Sequence, residues 1–131
     1  MKLKTVAILS LCLTFGVTAP GCLVAAIGAV AVAGYGAYAY VKGELKSTED
    51  VSLNKAWAAT QAGMKDLEFT VSEKSKDALE AKLVAVKADL TEVTVHLEFE
   101  TNSSTTFSIR VGTLGDEELS RRVMDTIRKH F

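Results

Sequence analysis

The sequence predicts a small α+β domain, a two-layer antiparallel sheet in β-α-β-β-β-β-α order, preceded by a signal-like N-terminus and an apolar helix. Three observations carry this reading. The chain has no charged residue from Val6 to Val41 and changes character at Lys42. Beyond that point apolar and polar residues alternate in several runs of strand length. Two other stretches repeat apolar residues at helical spacing. Clean alternation implies one covered and one wetter sheet face, and two helices with one apolar stripe each cover a single face.

The N-terminus comes first. Lys2 and Lys4 precede the apolar run Val6 to Val17, and small residues lead on to Thr18-Ala19-Pro20-Gly21-Cys22. A charged start, an apolar run too short to span a bilayer and a small-residue cleavage site make a secretory signal over residues 1–21. The run ending in Gly21-Cys22 resembles a lipobox, which implies lipid attachment at Cys22. Ala19 is smaller than the leucine usual three positions before the cysteine, and Pro20 is unusual there. Cys12 and Cys22 are the only cysteines. The rest of the chain therefore has no internal disulfide and no thiolate metal site. Cys12, inside the apolar run, serves as a small hydrophobe.

Residues 22–39 read as an Ala/Gly-rich, membrane-apposed segment, with a small-residue transmembrane helix over 23–41 as the competing reading. The whole uncharged stretch 23–41 is near spanning length but rich in small residues that contribute little transfer free energy. Tyr35, Tyr38 and Tyr40 gather at its end beside Lys42, as aromatics do at headgroup level. One short acyl chain binds a membrane only marginally, so such a segment would reinforce the anchor.

Residues 40–131 form the predicted folded domain, about 90 residues and large enough to fold alone. Tyr40 to Lys46 reads as a first strand, weakened or bulged at Gly43. Ser52 is placed to cap a helix. Leu53, Ala56, Trp57, Thr60 and Met64 form its stripe, Leu67 closes it, and Gly63 marks where it begins to end. Leu67 to Glu73 then reads as a strand and Lys74 to Asp77 as a turn. Leu79, Ala81, Leu83 and Ala85 make the next alternation, with Val84 and Val86 on the opposite face. Ala88 to Thr91 reads as a hairpin turn. Val93, Val95, Leu97 and Phe99 alternate most cleanly of all. After a turn at Thr101 to Ser104, Phe107, Ile109 and Val111 form the last strand. Asp116 caps the final helix, whose first turn holds Glu117 and Glu118 and whose last holds Arg128, Lys129 and His130, as the helix dipole favours. Leu119, Val123, Ile127 and Phe131 are its apolar stripe.

Charge excludes one class of partner. The formal net charge is −1. Removing residues 1–21 takes away two lysines and no acid, leaving −3. Nucleic-acid binders show a basic stripe or domain instead.

Candidate chemistry is sparse. His96 stands on the wetter face of its strand with Glu98 two residues on and Arg110 within cross-strand reach, residue types that bind metal or move protons. No second histidine lies near in sequence, and a solvated sheet face accounts for them. Trp57 suits core packing better than ligand stacking. Gly112-Thr113-Leu114-Gly115 lacks the Gly-Lys-Ser/Thr ending of a phosphate loop, and Asp116, Glu117 and Glu118 would repel an anion. Arg121, Arg122, Arg128 and Lys129 are interleaved with acids and read as a solvated helix face. The expectation is no catalytic residue, no metal, no cofactor and no enzyme activity.

Several blocks carry a resemblance. Gly21-Cys22 with its Gly/Ala-rich run, Tyr-Val-Lys-Gly-Glu-Leu-Lys at 40–46, Ser-Leu-Asn-Lys-Ala-Trp from Ser52, Met-Lys-Asp-Leu-Glu-Phe-Thr-Val ending at Val71, and Ile109 to Ser120 are similar to a family of short bacterial lipoproteins classed as a domain of unknown function. That family usually has glycine where Glu68 stands and valine where Ala56 stands. Its element order is similar to helix-grip or TATA-binding-protein-like domains, including those of the C subunit of the outer-membrane barrel-assembly machinery, which is a likeness of fold only. The resemblance implies a lipid anchor at Cys22 and no assigned activity. The expected function is thus a membrane-anchored envelope lipoprotein, a non-catalytic structural or protein-interaction module. It would meet the membrane through the lipid and segment 23–41, with an envelope protein as partner. Leu23 after the cysteine, rather than aspartate, points to the outer membrane facing the periplasm. The alternative is a small-ligand binder with a pocket between sheet and helices.

Overall fold

A computed structural model describes residues 38–131. The expected signal segment 1–21, the expected lipidation site Cys22 and the rest of residues 22–37 lie outside the described residues. Among the described residues no helix is long and apolar enough to cross a membrane.

The alternation read from the sequence builds one six-stranded sheet. Its elements are β1 (Ala39–Val41), β2 (Glu44–Glu49), α1 (Leu53–Asp66), β3 (Thr70–Lys76), β4 (Glu80–Val86), β5 (Glu92–Thr101), β6 (Ser104–Val111) and α2 (Glu117–Arg128). The strands lie in the order β1-β2-β6-β5-β4-β3, and every pairing is antiparallel. Val93, Val95 and Leu97 of β5 pair with Val111, Ile109 and Phe107 of β6, so their side chains share a face. Leu45, Leu83, Met64, Val123 and Ile127 complete a fully buried core against both helices. Burying each such side chain contributes roughly 1.5–3 kcal/mol.

The two helices start as expected. Ser52 Oγ accepts from the Lys55 amide at 3.3 Å, and the Asp116 carboxylate accepts from the Leu119 amide at 3.0 Å. Gly63 does not end α1, which runs on to Asp66. It lets α1 approach α2: a Cβ there would lie 2.9 Å from Ile127 Cγ1. The helix stops at Glu68, whose φ of 60° is left-handed. Glu68 and Phe69 donate their amides to the Lys65 and Met64 carbonyls, both at 3.0 Å. This is the helix ending that glycine normally serves.

Four expectations need correction. The stretch Tyr40 to Lys46 is not one strand but a hairpin, with Lys42 and Gly43 at φ 52° and 82° between β1 and β2. Two positive φ values make a turn whose twist matches its strands, and Lys42 hides it because lysine rarely stands there. β3 begins later than Leu67 and includes Lys74–Lys76. The turn is set instead by Asp77, whose carboxylate accepts from the Leu79 and Glu80 amides at 2.8 and 2.9 Å. Leu79 is exposed, while Val84, on the face away from the helices, is buried. Finally, the fold takes in Tyr38 and Ala39: Ala39 belongs to β1, and Tyr38 and Tyr40 pack against the core. The last residues of stretch 23–41 are therefore part of the sheet.

Candidate functional site

β2 shows a departure from simple patterning. Leu45, Ser47 and Glu49 alternate toward the helices, pairing with Ile109, Phe107 and Thr105 of β6. All three are buried, Glu49 being only 6% exposed. A carboxylate at that depth requires charged or hydrogen-bonded partners. Arg128, in the last turn of α2, supplies them: its Nη2 and Nε donate to Glu49 Oε1 at 2.5 and 3.1 Å. Nη2 also reaches Ser47 Oγ at 3.2 Å, and Ser47 Oγ donates to Glu49.

Tyr38 closes the cluster. Its ring lies under the Arg128 guanidinium, 4.4 Å from it, with the Arg121 guanidinium 5.6 Å away. Its hydroxyl donates to Asp125 Oδ1, and Asp125 lies 3.7 Å from Arg128 Nη1. Burial and the hydrogen bond to Asp125 push the Tyr38 phenol up to about 12, against the opposing pull of Arg128. Burial disfavours the Arg128 charge, but the hydrogen bond and attraction of Glu49 outweigh it and hold its pKa above the ordinary value. The arrangement ties the first described residue, the edge of the sheet and the end of α2 into one network. Sequence reasoning missed it. The available signal was that the period-2 pattern of Leu45 continues inward through Ser47 and Glu49, past the point where the strand was expected to stop.

The residues singled out beforehand fare differently. His96 lies between Lys82 and Ser108 on the helix-free face, and its Nε2 is 3.4 Å from Glu80 Oε2. That is close enough for attraction when the imidazole is protonated, but the enclosed Nε2 makes no hydrogen bond. Glu98 stands opposite Glu80 and Thr106, and Arg110 opposite Thr94 and Glu44. The three are not brought to one point. Arg110 works elsewhere: it donates to Glu44 at 3.4 Å and to the Lys42 and Thr113 carbonyls at 3.0 and 3.2 Å. It thereby fastens the β1–β2 turn to the loop after β6. Gly43 and Gly115 touch there, since a Cβ on Gly115 would lie 2.4 Å from the Gly43 carbonyl oxygen. The Gly112–Gly115 loop thus packs against a turn. Trp57 packs at the rim of the core. Arg121 and Arg122 pair with Glu117 and Glu118 one helical turn away, at 2.7 and 3.2 Å. His130 contacts Asp66 at 2.5 Å, joining the ends of the two helices. Among the described residues no group of three or more His, Cys, Asp or Glu is placed to hold a metal.

A groove of about 370 Å³ lies where α1 ends and α2 begins, with Leu67, Phe69 and Leu119 as its apolar wall and Lys87, Asp116, Glu118 and Arg122 at its rim.

Comparison with known families gives one match. The family model described as protein of unknown function, DUF3568, matches residues 2–130, and the chain belongs to that family. No curated protein matches the chain.

Proposed function

We propose that this family member is a bacterial envelope lipoprotein, held on a membrane by lipid at Cys22, whose folded part is a non-catalytic structural or protein-interaction module. One observation carries the reading: Gly21-Cys22 ends a charged-then-apolar leader, and no cysteine follows in the rest of the chain. Lipid attachment is the most economical use of that thiol. The charge chemistry of the domain supports the second half. Glu49, Arg128, Asp125, Arg110 and Glu44 are engaged with one another, with a tyrosine or with backbone carbonyls. Groups so occupied hold a fold in register and are poorly placed to meet substrate. The residue after the cysteine is Leu23, which favours the outer membrane facing the periplasm. The strand and helix order from β2 onward supports assignment to the helix-grip or TATA-binding-protein-like group, a likeness that carries no activity.

Metabolic labelling with a palmitate analogue tests the anchor. Label should enter the wild type and be lost in Cys22→Ala, and fractionation should move that variant off the membrane. An unlabelled wild type, or label surviving Cys22→Ala, overturns it. Crosslinking in cells followed by mass spectrometry tests the module: a single recurrent envelope partner is expected, and repeated recovery of the monomer alone counts against it.

The groove at Leu67, Phe69 and Leu119 favours a second reading, a small-ligand-binding lipoprotein. Native mass spectrometry of the purified chain would show a bound small molecule, lost in Leu119→Glu. A mass equal to that of the lipidated chain alone sinks it.

A further inference from the structure

We infer that residues 38–41 are a strap which Tyr38 clasps to α2 and which opens at the Lys42-Gly43 turn without unfolding the rest of the domain. Its construction carries the inference. Among the described residues β1 is three residues long, sits at the edge of the sheet and is paired only with β2. The largest fully buried side chains all come from β2, α1, β4, β5, β6 and α2, so the strap takes none of them with it when it leaves. Five paired strands remain behind. Short edge elements with few buried contacts open at free energies well below that of global unfolding.

Beyond the β1–β2 pairing, the fastenings are side chains and lie at both ends. At the start, Tyr38 sits against Arg128 and Arg121 and donates to Asp125. At the far end, Arg110 holds the Lys42 carbonyl at 3.0 Å, and Tyr40 packs beside Gly115. The hinge is a turn whose two residues already have positive φ, and Gly43, packed against Gly115 while the strap is closed, has no Cβ to limit its conformations once that contact parts. Release of four residues adds about 13 Å of reach at roughly 3.3 Å per residue. On the anchored reading above, that length passes to the tether between Cys22 and the domain, so the clasp sets how far the domain stands from its membrane. The opening itself does not depend on the lipid.

Hydrogen exchange of the full chain in detergent micelles tests the strap. Amides of 39–41 should exchange at least about tenfold faster than those of β5 and β6. Tyr38→Phe, which removes only the hydroxyl that meets Asp125, should speed the strap a further ~5–10-fold and leave β5 and β6 unchanged, as loss of a charge-assisted hydrogen bond predicts. Arg121→Ala should act in the same direction and more weakly. Strap amides exchanging in step with β5 and β6 overturn the inference, as does a Tyr38→Phe that speeds all strands equally or none. Palmitate-analogue labelling of the wild-type chain separates this from the anchor. Fast strap exchange without Cys22 labelling keeps the strap and sinks the anchor, and slow exchange with labelling does the reverse.

Discussion

The two edges of the sheet are secured by opposite means. At the β1–β2 edge, side chains do the work: Glu49 and Ser47 point inward, Arg128 reaches back from α2, and Tyr38 lies against that arginine. At the far edge all seven residues of β3 are exposed. There the holding is local, by pairing with β4 and by the Asp77 turn. A register shift between Val71 and Glu73 interrupts the pairing, and Lys74 and Lys76 stand on the open strand. Bulges and lysines on an edge discourage another chain from adding a strand. One edge is therefore coupled to the helices and the other to little beyond its neighbour. Substitutions at the first should propagate, and those at the second should stay local.

The largest effect is expected at Glu49. Glu49→Ala removes the carboxylate that two Arg128 nitrogens reach. Breaking a buried pair by deleting one partner costs about 3–5 kcal/mol. Arg128 keeps 23% side-chain exposure, so a loss of roughly 2–3 kcal/mol is expected once solvent screening is allowed for. Urea unfolding measures it, and a midpoint unchanged from wild type would break the comparison. Next comes Gly63→Ala at the contact between α1 and α2. Alanine normally stabilises a helix interior, but here its Cβ meets Ile127, so a net loss of about 1–2 kcal/mol is expected from overpacking. A rise in the thermal midpoint would show that the helices yield easily.

The far edge should give the opposite sign. Glu68 precedes β3 in a left-handed conformation. Glu68→Gly, the residue the resemblance placed there, should stabilise by about 1 kcal/mol in chemical denaturation. A loss of stability would mean that the Glu68 side chain contributes more than its backbone costs. A smaller effect follows from pH. Tyr38 titrates near 10.0 when unfolded and near 12 in the fold. Because the folded value is the higher one, its contribution is fully present below pH 10 and is lost as pH rises toward 12. Tyrosinate absorbance should show one late-titrating phenol that disappears in Tyr38→Phe. The smallest effect is expected at Lys74→Ala on the open strand, within about 0.5 kcal/mol of wild type. A larger loss would mean that the far edge also has distant partners.

Local chemistry was legible. Both N-caps, the β4–β5 and β5–β6 turns, the alternation of β6 and of β5 as far as Leu97, and the stripe of α2 follow from residue type and spacing and appear where expected; Phe99, expected to continue the β5 face, is exposed beside a register shift. The resemblance even located the glycine-like position at Glu68, though not its φ. The β1–β2 hairpin was not legible, because Lys42 gives no turn signal and the tight fit of Gly43 against Gly115 is made between residues far apart in the chain.

The same division holds for the candidate sites. Sequence alone determined the α+β class and most of the core faces, since these rest on periodicity, and its contiguous Gly21-Cys22 motif is what motivates the proposed anchor. Only tertiary structure decided that Tyr38 belongs to the fold and not to the preceding apolar stretch. It also decided that Gly63 is a contact between helices, that His96, Glu98 and Arg110 are spread across the sheet, and that Glu49 meets Arg128. The reason is physical. Periodicity reports which face of an element is buried, whereas a buried charge needs its partner supplied by another element, here 79 residues away, and nothing in the local pattern says which one.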